Sequence, residues 1–253
     1  MASNPLLRRG LYMLRWSVLV LAVVIGCLFV VWRGLAAVDF AYPWLHGLLD
    51  IGATVAEHGP RNPVRPGFER TDAAEQARLF GAIVDAVRAD GRGLAELIYR
   101  TPGGQPIGRL LTPAEIQHLQ DVARLIGRFE RLGWLALALL PLLLGAAAVR
   151  RERPPSGRRL GLSLGGGVAV AALTVLLLGP VEVFYWLHEQ VFPPGHQWFF
   201  WYQESLMSML MQAPNLFGAI AILWFVPAAL LSGLALWAIL HGLRRRAGEG
   251  NRE

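Results

Sequence analysis

Two histidines sit where their neighbours could support proton transfer. His118 and Asp121 are three residues apart in a stretch whose pattern predicts a helix, so both fall on one helix face. A carboxylate in that position can fix the tautomer of an imidazole and support it as a base. A solvated helix face produces the same spacing. His188 follows an apolar run and stands beside Glu189. Ionisable groups at membrane depth are costly and point to function, while an interfacial histidine with its tip in water gives the same pattern. His58 lies in a proline-rich stretch and reads as solvated. His241 sits among arginines at the end of the last apolar run and reads as interfacial, and His46 has no clear place. A zinc site from His118, Asp121, His188 and His196 is conceivable, but there is no HExxH and no paired cysteine. There is no GxSxG elbow and no glycine-rich phosphate loop. The single cysteine, Cys27, lies deep in an apolar run, where a thiolate would be poorly stabilised.

Composition says what kind of element must hold these residues. Of 253 residues, 54% are hydrophobic and only 17% charged, and the mean hydropathy is +0.41. Soluble domains carry about 25% charge, so a soluble fold is excluded, as is disorder. One cysteine excludes a disulfide scaffold. Four stretches approach the roughly 20 apolar residues that a spanning helix needs: 11–38, 132–149, 160–180 and 216–240. The fold class expected is an all-α integral membrane protein with four transmembrane helices. Pro141 and Pro227 are tolerable there because neighbours re-satisfy the freed backbone groups. Gly161 and Gly165 form a small-xxx-small pair that would allow close helix contact. The segment Val24-Ile25-Gly26-Cys27 has a weak lipobox look, but the apolar run continues through Trp32, so a retained helix is expected rather than a cleaved signal.

Every basic residue is arginine, and the net charge is +6. The arginines flank apolar runs rather than forming a nucleic-acid footprint, so nucleic acid is not an expected partner. Arg8, Arg9 and Arg15 precede the first run. Arg150, Arg151, Arg153, Arg158 and Arg159 fill the loop at 150–159, and Arg244, Arg245 and Arg246 follow the last run. The positive-inside rule places all three segments, and both termini (1–10 and 241–253), in the cytoplasm. Two regions then face outward, 39–131 and 181–215. The eleven arginines of the first do not conflict, because long translocated regions largely escape the rule.

Region 39–131 predicts two helices. One starts near Thr71-Asp72 and ends near Gly91. The other starts at Thr112-Pro113-Ala114-Glu115, where Thr112 and Glu115 form a capping box, and can run straight into the second span. The stretch 101–109 reads as a turn or loop, and 57–70 as irregular surface. Region 181–215 is aromatic-rich: 184–202 holds nine of the 25 aromatic residues. It reads as a re-entrant or surface-lying segment that shapes a pocket at the outer leaflet. The methionines at 207, 209 and 211 suit either acyl-chain contact or ordinary packing.

Two segments together resemble a known family. Glu115-x-x-His118-x-x-Asp121-Val122 is one. Phe184-Tyr185-Trp186-Leu187-His188-Glu189-Gln190-Val191-Phe192, followed by Trp198-Phe199, Ser205-Leu206-Met207 and Pro214-x-x-Phe217, is the other. With four spans and a large first outer region, they are similar to the lipoprotein intramolecular transacylase family of bacterial membrane proteins. Leu187 stands where that pattern has Phe, His196 and Gln197 where it has smaller or acidic residues, and Met211 where it has an aromatic.

The resemblance implies an acyltransferase of the bacterial cytoplasmic membrane with its active site at the outer leaflet. Such an enzyme moves the sn-2 acyl chain of a diacylglyceryl lipoprotein to the α-amine of its N-terminal cysteine. The partners are diacylglyceryl-modified lipoproteins and membrane phospholipid, with no cofactor and no metal. His118 and His188 match the family's catalytic histidines. Asp121, Arg124, Tyr185, Glu189 and Trp198 are expected in supporting or substrate-binding roles: Asp121 to steer His118, and Arg124 as a possible oxyanion donor. The expected base is His188, whose aromatic surroundings favour neutral imidazole, though the two roles can be exchanged. Two other classes remain open on sequence: a non-enzymatic four-span receptor or assembly factor, and a metal-dependent membrane hydrolase.

Overall fold

A computed structural model describes residues 5–150 and 153–249. Arg151, part of the predicted inner-loop arginine run, lies outside the described residues, as do 1–4 and 250–253. Four helices are long and apolar enough to cross a membrane: α1 (Pro5–Ala36), α5 (Pro113–Val149), α6 (Gly157–Leu178) and α9 (Asn215–Glu249). The chain is a multi-pass membrane protein. Between these helices lie α2 (Tyr42–Leu48), α3 (Ile51–His58), α4 (Ala73–Arg88), α7 (Pro180–Val191) and α8 (Leu206–Met211). One short hairpin, β1 (Ile98–Arg100) with β2 (Pro106–Arg109), completes the described structure.

The contacts divide the chain into two units. One takes in α1 to Trp32, α5 from Glu130, α6 to Leu177 and α9 from Trp224. Its core joins Trp16, Leu19, Val23 and Cys27 of α1 to Ala147 of α5 and Leu236, Leu240 and Leu243 of α9. The Trp224 indole donates to the Leu28 carbonyl at 2.8 Å. Helices α1 and α5 meet closely where the ring of Phe29 lies against Gly133. A Cβ there would come within 2.3 Å of that ring, and Phe29 is held edge-on by Trp134 at 5.0 Å. Gly133→Ala is therefore expected to destabilise the unit by about 1–3 kcal/mol through overpacking. Gly145→Ala in the same helix, with open space around its Cβ, should be neutral or slightly stabilising. Thermal unfolding of the two variants in detergent checks the pair.

Helix α6 has no buried residue. The predicted close-contact glycines, Gly161 and Gly165, have nothing within 4 Å of an added Cβ, so this helix presents them to its surroundings rather than to a neighbour.

The second unit comprises Arg33–Phe129 and Leu178–Leu223. The chain leaves α1 through Asp39, Phe40 and Ala41, three successive non-glycine residues in the left-handed region. Each such residue costs about 1–2 kcal/mol. The bend is anchored by burial: Phe40 is 6% exposed, and Tyr42 just beyond it is fully buried. Tyr42 stacks on Phe80 of α4 at 4.1 Å and donates to the Leu210 carbonyl of α8 at 2.7 Å. Asp72 caps α4 by accepting from the Glu75 N–H, at the helix start the sequence predicts.

The stretch 101–109 is only half a loop. Residues 101–105 make the turn and Pro106–Arg109 forms β2; the Thr101 amide donates to the Gln105 carbonyl and closes it. Residues 57–70 contain two 3-10 turns, Gly59–Arg61 and Phe68–Arg70. All six residues of α8 are buried, so the methionines pack in the core of this unit, against α3 and α4, rather than lying open to an acyl chain.

Candidate active site

The second unit holds every predicted site residue. Helix α5 supplies His118, Asp121 and Arg124. Its N-terminus is fixed by the predicted capping box: the Thr112 N–H donates to Glu115 at 2.6 Å, and the Glu115 N–H donates to the Thr112 hydroxyl at 3.3 Å. Glu115 also accepts from the hydroxyl of Ser205, which caps α8. The segment carrying His118 is thereby tied to the segment that follows the aromatic run. The 19 residues of α5 before position 132 include Glu115, Asp121, Arg124, Arg128, Glu130 and Arg131. Such a charged stretch belongs outside the hydrocarbon.

Helix α7 supplies His188. Gly179, at φ 93°, ends α6, and Pro180 starts α7. Residues 184, 188 and 192 follow at helical spacing, which places Phe184, His188 and Phe192 on one side. The His188 ring lies 4.0 Å from Phe184, 5.2 Å from Phe192 and 5.1 Å from Trp198, measured between centroids. The His118 ring lies 4.7 Å from Phe192 and 5.7 Å from Phe200. Phe192 therefore touches both imidazoles, whose centroids are 6.5 Å apart with planes tilted by only 20°. The two histidines do share one aromatic site.

Burial sets their protonation. His118, with the neighbouring imidazole of His188 adding to the effect, is pushed down to about 4, although the Asp121 carboxylate pulls the other way. His188 is also lowered by burial, partly offset by its bond to the Phe184 carbonyl. Both rings are neutral at pH 7. Nδ1 of His188 lies 2.7 Å from that carbonyl oxygen. A carbonyl only accepts, so Nδ1 carries the hydrogen and Nε2 is left with its lone pair. His118 is 9% exposed and its Nδ1 is buried without a partner. A buried polar atom with no partner calls for an explanation, and a substrate group is one.

Asp121 is held differently from expectation. It is buried, and its two oxygens accept from Arg124 and from Nδ1 of His196, the latter at 2.7 Å. It makes no hydrogen bond to His118. The two residues share a helix face, but each Asp121 oxygen is bonded by a donor other than His118, so Asp121 orients His196. Arg124 is tied to Asp121 with its side chain 59% exposed. Tyr185 is 38% exposed and packs on Trp198 at 5.6 Å and Phe199 at 5.9 Å. Glu189 is exposed.

His196, which the sequence offers only as a member of a conceivable zinc set, is instead the partner of Asp121. Pro193-Pro194-Gly195-His196 is the signal that could have found it, since it reads as a type II turn with proline second and glycine third. The His196 N–H donates to the Pro193 carbonyl at 3.1 Å, and Gly195 takes φ 83°. That turn brings the chain back to α5.

Of the other histidines, His58 is half-buried at the end of α3 and packs on Tyr202 at 5.5 Å, rather than being solvated. His46 bonds Gln76 at 2.6 Å, and His241 stacks on Trp237 at 5.4 Å. Among the described residues, no group of three or more His, Cys, Asp or Glu side chains could hold a metal ion.

The depressed His118 value makes a stability prediction. Unfolded histidine binds its proton near 6.5, folded His118 near 4. Between those values the unfolded chain holds more protons. The stability present above pH 6.5 should therefore fall as pH drops toward 4, by on the order of 3 kcal/mol from this group. Thermal unfolding of the detergent-solubilised protein at pH 7 and pH 4.5 reads this, with His118→Gln expected to lose most of the pH dependence.

No protein-family model matches the chain, and the searches of curated proteins and of solved structures returned no match.

Proposed function

We propose that the chain is a membrane acyltransferase that moves the sn-2 acyl chain of a diacylglyceryl lipoprotein onto the α-amine of its N-terminal cysteine. In this reading the termini lie in the cytoplasm and the site works at the outer leaflet of a bacterial cytoplasmic membrane. The observation that carries it is the pair of neutral imidazoles, His118 buried and His188 half-buried, whose centroids lie 6.5 Å apart beside Phe192. In this reading one ester carbonyl lies against both rings. An α-amine has a pKa near 8 and is a poor nucleophile while protonated. A neutral imidazole can take the proton lost on attack, and His188 offers Nε2 for this because Nδ1 is committed to Phe184. His118 remains neutral and polarises the ester carbonyl through a ring N–H, in the manner of a neutral imidazole donor. Amine and ester belong to one molecule, so holding them at attack distance supplies much of the acceleration, which for well-oriented intramolecular reactions reaches roughly 7–11 kcal/mol. No protein nucleophile is needed.

The test is mass spectrometry of a lipoprotein's N-terminal peptide from a bacterium lacking its own N-acylating enzyme, with and without this protein. The expected result is unchanged peptide mass, with one acyl chain moved from glycerol to the α-amine on fragmentation. Unchanged fragmentation, with the protein shown to be in the membrane, would overturn the reading. A gain of one acyl mass would replace it with an intermolecular donor.

A further inference from the structure

The proposed reaction releases a proton. An ammonium R–NH3+ and an ester R'CO–OR'' give the amide R'CO–NHR, the alcohol R''OH and H+. The N–C bond forms and the acyl C–O bond breaks. Nitrogen loses two protons; one passes to the glyceryl oxygen, and the other must leave for water. His188 can take the proton lost on attack and return it to the glyceryl oxygen, but burial lowers both His188 and His118 and so weakens them as bases. Neither is suited to removing the first proton from a charged ammonium.

A third imidazole is built for that step. Asp121, one helical turn from His118, has a side chain 4% exposed, whereas the His196 side chain is 28% exposed. The carboxylate only accepts, so Nδ1 of His196 carries the hydrogen and Nε2 is the acceptor. The Gln117 amide nitrogen already stands 3.3 Å from that Nε2, in the position an N–H donor of a substrate would take. Trp198, two residues on, packs against His188 at 5.1 Å. The charged group bonded to this ring is Asp121, which in turn pairs with Arg124. The arrangement of carboxylate, oriented imidazole and an accepting Nε2 that faces only the exposed Gln117 amide is that of a general base.

We infer that His196, oriented by Asp121, takes the first proton from the incoming α-ammonium and passes it to solvent, so that His188 meets a neutral amine. This rests on the transacylase reading.

The test uses the full-length protein in detergent and a synthetic peptide with an N-terminal S-(2,3-dipalmitoylglyceryl)cysteine. Initial rates of N-acylation are compared at pH 6.5 and pH 9. In His196→Gln the side-chain amide can still donate to Asp121 but cannot carry a proton away. The expected loss is about 10-fold or more at pH 6.5. It should shrink to within about 2-fold at pH 9, where the amine is already deprotonated. An equal loss at both pH values, as a purely structural clamp would give, overturns the inference, and so does no loss at pH 6.5. If His196→Gln does not fold, His196→Gly with added imidazole replaces it: restored rate at pH 6.5 supports the role, and no restoration overturns it. A wild-type protein without N-acylated product at either pH would defeat the transacylase reading itself. Wild-type activity without this pH pattern would defeat only the role of His196.

Discussion

His188→Gln is expected to lower the rate of N-acylation by about 10²–10⁴-fold while leaving the protein inserted and folded. The substitution keeps what is structural about this side chain and removes what is chemical. Nδ1–H of His188 bonds the Phe184 carbonyl at 2.7 Å, and a glutamine amide can supply a similar donor. Its packing among Phe184, Phe192 and Trp198 changes little in volume. What disappears is Nε2, the only lone pair this ring can present. Because burial lowers His188, the wild-type rate should hold through neutral pH and fall only once the medium drops below the usual histidine range. The variant should lack that acidic limb. Rates within about 3-fold of wild type would remove His188 from the chemistry, since general-base catalysis is worth at least two orders of magnitude.

His118→Ala should cost about 10²–10³-fold, the usual effect of deleting one donor to a developing oxyanion. The loss should appear in kcat rather than KM, because the interaction strengthens only as charge develops on the carbonyl oxygen. His118→Gln, which retains an N–H donor, should recover part of the rate. The unpartnered Nδ1 in a ring only 9% exposed is the structural basis. The buried atom has nothing to bond within the protein, and in the proposed reaction the ester supplies its partner. A ring pushed down to about 4 cannot serve as a protonated acid at neutral pH, so the donor is neutral imidazole. Equal activity of His118→Ala and wild type would contradict this assignment.

Much of the frame was legible in the sequence, because span length and apolar content are local properties. The start of α5 could be read to the residue, since Thr112, Pro113 and Glu115 are all the capping box needs. The placing of Asp121 and His118 on one helix face was also correct. What failed was the inference of a bond between them. Spacing says which side chains share a face, not which donor arrives from elsewhere to claim a carboxylate. Here the donor is His196, 75 residues away in sequence, delivered by a proline–glycine turn. β2 was missed for a related reason: Pro106 and Gly108 are turn residues by composition, and only pairing with β1 makes them a strand. The buried methionines of α8 answer to packing, which residue type alone could not distinguish from lipid contact. The shared aromatic site of His118 and His188 depends on Phe192 standing between segments far apart in the chain, and no local pattern encodes that.

The most direct test of the central claim follows the acyl chain itself. A peptide carrying S-diacylglycerylcysteine, deuterated only in the sn-2 acyl chain, is incubated with the purified full-length protein and fragmented by mass spectrometry. The account predicts an intact mass identical to the starting peptide, with the deuterium on the α-amine and a free hydroxyl at sn-2. It predicts that His188→Gln leaves the label on glycerol. Deuterium that stays on glycerol with the wild-type protein, leaves as free fatty acid, or is joined by an added unlabelled chain on the amine would contradict it.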